Sequence, residues 1–350
     1  MNDEYEIVYG KKLKKCKDNQ IRNPITHRCI DKDKKTAKEV LKNLDKLRVP
    51  NSRLKIVKTR IPKKKMILLL SSSIINRKDF YKKINKYFKT DNLVLKKRLN
   101  DNYYLSHLQD KNKYVFETKS YVNEIDLELF KKVSKAVLED KCQHFPILFK
   151  EVNNKLLTEL TDGNLGDFMK DMKRNKEELY LNTLTQIYLS LMFFYQETKH
   201  FITLPKYKNF VYRRVEKGGY YHYKIFGEDY YLENLGYLWM IRDYETSISF
   251  DKSNDKQILI NNDFLQIIQG FLPYYLKGWI KTSNYHMNDN GFKKIFLLYN
   301  FNKKFNEYYT EKGMNKYLRS LIKKMLEIEL ILKSVKSNFV IINYRPYEIK

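Results

Sequence analysis

The sequence predicts an α+β fold, and three features predict it. Between Lys199 and Phe250 run aromatic, strand-like segments punctuated by Gly218-Gly219 and Gly227, ending in "LGYLWMI" and Arg242-Asp243. Just before them, Asn182 to Gln196 is apolar nearly all round, the mark of a helix buried inside a large domain. After Phe250, three stretches carry helical apolar spacing, with breaks near Pro273 and Gly313. At 350 residues with 43% hydrophobic content the chain can bury a sizeable core.

From the N-terminus, residues 1–45 form a separate small unit. In it "CKDNQIRNPITHRCI" sets Cys16 and Cys29 around a loop with an Asn23-Pro24 turn. Cys16, His27 and Cys29 give three metal-type ligands where a closed zinc site takes four; a disulfide, a loop clamp and free thiols stand beside that reading. With one more cysteine, Cys142, in so long a chain, a disulfide scaffold is not expected. Residues 46–65 read as a basic linker, after a helix at Ala37 to Leu47 that Pro50 ends.

Residues 66–157 mix helix and strand signals. "FYKKINKYF" reads as helix, "NLVLKKRL" and "NYYLSHLQ" as strands. Val122, Ile125, Leu129, Val133 and Val137 mark an amphipathic helix over Tyr121 to Leu138. No glycine occurs between Gly10 and Gly163, so "LLLSSSIIN" offers serines but no loop whose backbone can close on phosphates. Residues 158–350 read as mainly helical, with a strand-rich hairpin region at Gly218-Gly219.

The segment "NFVYR" from Asn209, followed by "GGYYHYKIFGEDYYLENLGYLWMIRDYE", resembles the divergent protein-kinase-like proteins of nucleocytoplasmic large DNA viruses. Their pattern there is "GGYxHYKIxGxDYYLxNLGxLWxIxDFG". "HFPILF" after His144 is similar to their "HFPxLY", although His144 itself reads as a core or turn histidine. "CKDNQIRNPITHRC" looks like the two-cysteine adaptor segment of the same viruses, with Asn19 and His27 where glycines are usual. The resemblance implies a protein-kinase-like bilobal fold divided at 157/158, a small mixed N-lobe over 66–157 and a mainly helical C-lobe over 158–350 with a hairpin insertion at Gly218-Gly219, preceded by an adaptor carrying Cys16 and Cys29.

Carried over residue by residue, the resemblance implies Asn209 and Asp243 as vestigial metal ligands, hard oxygens for a magnesium–phosphate complex. Their own bland reading is a structural hydrogen-bonded pair. The catalytic aspartate position falls on Leu204, which cannot accept a proton, and no Asp or Glu lies between Glu197 and Glu216. The "DFG" run is Asp243-Tyr244-Glu245 here. Glu124 is the candidate acidic partner on the small-lobe helix. Counting back from it places His107 where a working kinase has its strand lysine, with Lys96 and Lys97 as alternatives.

The expectation is therefore a pseudokinase, an interaction scaffold with no catalytic residue and no required cofactor, its partners viral or host proteins. The first alternative is an unorthodox active Ser/Thr kinase binding ATP and Mg2+ through Asn209 and Asp243, with Glu197 or Glu245 as base. The second is a basic nucleic-acid-binding or virion-associated protein, since the net charge is +27; an AT-rich coding bias toward Lys, Asn, Ile and Tyr gives the same composition. No apolar run reaches the roughly 18 residues that span a bilayer, and the Met-Asn-Asp-Glu start lacks the order of a signal peptide. The expected location is the host cytoplasm or viral factory, with packaging in the virion left open.

Overall fold

The computed structural model describes the backbone at 5–8, 11–14, 20–22 and 29–31, and then residues 77–78, 81–82, 93–98, 103–108, 111–120, 122–152, 155–171, 177–202, 205–250, 264, 267–268, 289–304, 311–335, 340–343 and 345–349. The chain divides into two units, Met1–Arg60 and Ile61–Lys350. The first carries two antiparallel pairs: β1 (Tyr5–Val8) with β2 (Lys11–Lys14), and β3 (Gln20–Arg22) with β4 (Cys29–Asp31). Cys29 opens β4 opposite Arg22; Cys16 and His27 lie outside the described residues, as do the whole of "LLLSSSIIN" and most of "FYKKINKYF".

In the second unit the strands and helices alternate in a mixed α+β order. β5 (Leu93–Arg98), β6 (Tyr103–Leu108) and β7 (Lys111–Lys119) lead into α1 (Glu124–Leu138), and β8 (Leu148–Val152) and β9 (Lys155–Thr158) follow. All five strands form one antiparallel sheet in the order β5-β6-β7-β9-β8. The helix crosses between β7 and β8. It starts at Asn123, whose side chain accepts from the Asp126 amide at 2.7 Å, satisfying a donor that the first turn leaves open. Leu129, Phe130, Val133 and Val137 are buried on one face, as the i, i+4 spacing requires.

The rest of the unit is built on α3. α2 (Leu165–Asp171) follows the short strand β10 (Gly163–Asn164), and α3 (Glu177–Thr198) is buried from Tyr180 to Tyr195. Its hydroxyls cost little in that setting because Thr183, Thr185, Ser190 and Thr198 donate to the carbonyl four residues back. Gln186, equally buried, reaches across to the neighbouring strand instead. Its amide donates to the Tyr237 carbonyl and accepts from the Trp239 amide, both at 3.0 Å, which locks the neighbouring strand onto the helix.

That strand is β15 (Tyr237–Ile241), in a sheet ordered β10-β12-β15 with β12 (Phe210–Arg214). β11 (His200–Ile202) pairs with β16 (Ser247–Ser249), so the chain entering β12 and the chain leaving β15 are tied side by side. The inserted hairpin is β13 (Tyr220–Ile225) and β14 (Glu228–Glu233), turning at Phe226-Gly227, where both residues have positive φ as a two-residue hairpin turn demands. The Gly218-Gly219 pair is not the hairpin's own turn. It carries the chain out of the β12 sheet into that of β13, and a Cβ on Gly219 would meet the Val340 carbonyl at 2.6 Å. A parallel strand from the C-terminus, β17 (Tyr347–Ile349), completes this sheet beside β13. Helices α4 (Asp289–Lys304) and α5 (Glu311–Glu327) realise two of the expected helical stretches. No helix among the described residues is long and apolar enough to cross a membrane.

Candidate functional site

The end of β7, the first turn of α1 and the end of β15 meet at one point, and each contributes charge. Lys119 is the last residue of β7. Its Nζ lies 2.7 Å from Asp126 Oδ2, in direct contact with Asp243 Oδ1, and 3.6 Å from Glu245 Oε2. The Lys119 and Asp126 side chains are 0% exposed and that of Asp243 is 7%, so these are buried ion pairs. Burial by itself would lower the Lys119 pKa; Asp126 and Asp243 outweigh it and hold the ammonium above its ordinary value. Asp126 uses its other oxygen to accept the Tyr244 amide at 2.8 Å.

Asp243 is held with φ at +73°, a left-handed conformation that costs a non-glycine residue energy and persists where surroundings enforce it. The enforcement is visible on both sides. Tyr244 is buried against Phe130 and Phe194, and its hydroxyl donates to the Ile241 carbonyl at 2.7 Å. Asn209 Nδ2 donates to the carbonyls of Arg242 and Asp243 at 3.3 and 3.2 Å. Asn209 Oδ1 accepts the Lys206 amide at 2.8 Å. Asn209 and Asp243 are therefore neighbours, as the sequence suggested. In this arrangement Asn209 is a hydrogen-bond tie whose oxygen is engaged by the backbone, so the pair does not present two free oxygens to a cation. Among the described residues no three His, Cys, Asp or Glu side chains converge as metal ligands.

Two other sequence candidates fall elsewhere. Glu124 opens α1 and is exposed; Asp126, two residues later, is the acid that turns inward. His107 lies near the far end of β6, opposite Val94 and Val115, whereas Tyr103 of the same strand stands opposite Lys119. Four strand residues separate them, about 13 Å along the sheet. The lysine that reaches the helix acid is Lys119, only seven residues before Asp126, because β7 runs almost directly into the helix. Counting a long kinase-like spacing back from Glu124 passed over it. Lys96 and Lys97 lie on β5, an edge strand one strand further from β7 than β6. Leu204 lies outside the described residues.

A second pair lies beside the first. Glu117, two residues before Lys119 on the same face of β7, pairs with Arg242, and the Arg242 guanidinium sits 4.1 Å from the centre of the Tyr103 ring. Glu117 also accepts the Thr161 amide at 2.9 Å and the Thr161 hydroxyl. Further along, Glu159 accepts from Arg77 at 2.6–3.0 Å and pairs with Arg213. Arg77 also donates to the Gln143 carbonyl and side chain at 2.8 and 2.7 Å. Two buried guanidiniums on one carboxylate are strained in charge: burial lowers the Arg77 pKa to about 10 and Arg213 well below its usual value, with Arg77 adding to the latter effect. The composition flagged none of these as a set. Their one sequence signal is charge inside strands otherwise built for burial, "FETK" and "FVYRR".

Neither the family models nor the curated proteins contain a match to this chain.

Proposed function

We propose that this chain is a protein-kinase-like bilobal protein that serves as a non-catalytic interaction scaffold. The kinase-like part is supported by a five-stranded antiparallel sheet whose helix follows the third strand, and by a lysine on that strand paired with a helix acid and with an aspartate after β15. One observation carries the non-catalytic part. The charges that a phosphotransfer site would aim at a nucleotide are aimed at one another: Lys119 spans Asp126 and Asp243, and Asn209 spends its side chain on backbone groups. The sequence adds Leu204 at the position of the base, with no carboxylate between Glu197 and Glu216. The partners of such a scaffold would be viral or host proteins, met in the host cytoplasm, the viral factory or the virion.

The intact Lys119–Asp126 pair favours a second reading, an unorthodox Ser/Thr kinase taking Mg2+ and ATP at Asp243, because positioning and charge neutralisation supply most of phosphoryl transfer. The two are separated by incubating the whole protein with γ-labelled ATP and Mg2+, alone and with generic acceptor proteins. The scaffold reading expects no transfer above that of the Asp243→Asn variant. Label transfer by the wild type that disappears in Asp243→Asn would replace it with the enzyme.

A further inference from the structure

We propose that Glu117 and Arg242, under the Tyr103 ring, form a built-in plug that fills the nucleoside end of the cleft and excludes purine nucleotides. The proposal rests on the kinase-like reading, which puts a ligand's phosphates, if it has any, at Lys119 and Asp243. The next part of such a ligand must then run along β7. Glu117 is two residues away on the same face, about 6–7 Å in an extended strand, roughly the offset from a phosphate to its base.

Each recognition element that a base would use at that point already has an internal partner. A flat ring binds by stacking; the Arg242 guanidinium, itself flat, occupies the Tyr103 face at 4.1 Å. The hydrogen-bonding edge of a base pairs with backbone groups of a connecting segment. Here the connection from β9 to β10 passes through Thr161, and its amide is donated to Glu117 at 2.9 Å. The ion pair that does both is buried: the Glu117 side chain is 2% exposed and that of Arg242 5%. A base could enter only by separating two buried opposite charges, leaving each without its partner.

The plug therefore acts where the lysine does not. Lys119, Asp126 and Asp243 are spent on one another at the phosphate end, and the plug closes the neighbouring stretch by a separate set of residues. Removing Glu117 and Arg242 together deletes both charges at once, so neither is left buried alone. It also releases the Thr161 amide from Glu117 and the Arg242 contact from the Tyr103 ring.

The experiment is thermal denaturation of the whole protein with adenosine, and separately with Mg2+ and ATP, on the wild type and on the Glu117→Ala/Arg242→Ala double variant. Adenosine carries no phosphate, so it reports on the nucleoside end alone. The expected result is no shift for the wild type and a rise of about 2 °C or more for the double variant at saturating adenosine. A shift of the wild type with adenosine overturns the plug, and this arm needs no variant to fold. A folded double variant, confirmed by circular dichroism and a cooperative melt, that ignores adenosine overturns it as well. Both failures leave the scaffold reading standing, because that reading falls only on phosphate transfer.

Discussion

Replacing Lys119 by Met tests the centre of the site more severely than any loss-of-activity assay. The side chain keeps most of the lysine stem's volume and loses the ammonium. Asp126 would retain the Tyr244 amide but lose its 2.7 Å cation, and Asp243 would lose its direct contact. Breaking a buried pair by removing one partner costs about 3–5 kcal/mol, since a charge is left in low dielectric without compensation. At pH 7 the midpoint of urea unfolding for the Ile61–Lys350 unit should fall by about 1 M or more. The double variant Lys119→Met/Asp126→Asn should recover part of that loss, because one orphaned charge is gone.

The pH dependence supplies a second check. Burial already holds the Asp126 carboxyl above its ordinary value in the wild type; without the ammonium, burial and the Asp243 charge push it further up, with only the Tyr244 amide still opposing them. The folded variant then binds more protons than the unfolded chain, so its stability rises as pH falls through that range. The deficit relative to wild type should narrow as pH falls from neutrality toward the ordinary carboxylate range. A deficit under about 1 kcal/mol at pH 7, or one that is flat with pH, would refute the claim that Lys119 neutralises two buried carboxylates.

Two further outcomes follow from the same structure. His144 is buried between the Trp239 carbonyl at 2.7 Å and the Tyr223 hydroxyl at 2.9 Å, and burial lowers its pKa to about 4. The unfolded chain then binds more protons between pH 6.5 and 4, and wild-type stability should fall across that window by up to about 3 kcal/mol more than that of His144→Gln, measured by urea unfolding at each pH. Gly219→Ala places a methyl group against the Val340 carbonyl at a residue with φ of +72°, and should destabilise by about 1–3 kcal/mol; a melting midpoint unchanged within about 1 °C would show that the chain relaxes there.

The sequence was most legible where periodicity and burial coincide. The helix expected over Tyr121 to Leu138 is α1, with Leu129, Val133 and Val137 buried as the pattern requires; Ile125 of the same pattern is exposed, and Val122 precedes the Asn123 cap. The apolar run from Asn182 to Gln196 sits inside α3. The strand ending in Arg242-Asp243 was legible too, since a buried run that stops at one acid has few other uses. What could not be read was direction within a strand or a first turn. Glu124 and Asp126 are both acidic and both near the helix start; only the Asn123 cap, which fixes the rotation of that turn, decides that Asp126 faces in. His107 was preferred because a spacing was assumed, while Lys119 looked like one more charge in a lysine-rich chain. Glu117 and Arg213 were hidden for the same reason, since burial of a charge depends on a partner that is distant in sequence, 125 residues away for Glu117 and Arg242. The C-terminal strand β17 went unread because a three-residue edge beside Pro346 carries too little pattern.

The way the sheet is fastened to the elements built on α3 supports the proposed scaffold role. Lys119 to Asp243, Glu117 to Arg242, Glu159 to Arg213 and the Tyr244 amide to Asp126 all cross between them, and all are buried. Parting the sheet from the elements built on α3 would separate at least the pairs at Lys119 and Arg242, and both partners of each would have to be rehydrated as they move apart. The same fastenings hold the surrounding surface in one conformation, and a rigid surface is what a partner can recognise without bearing the entropy of ordering it.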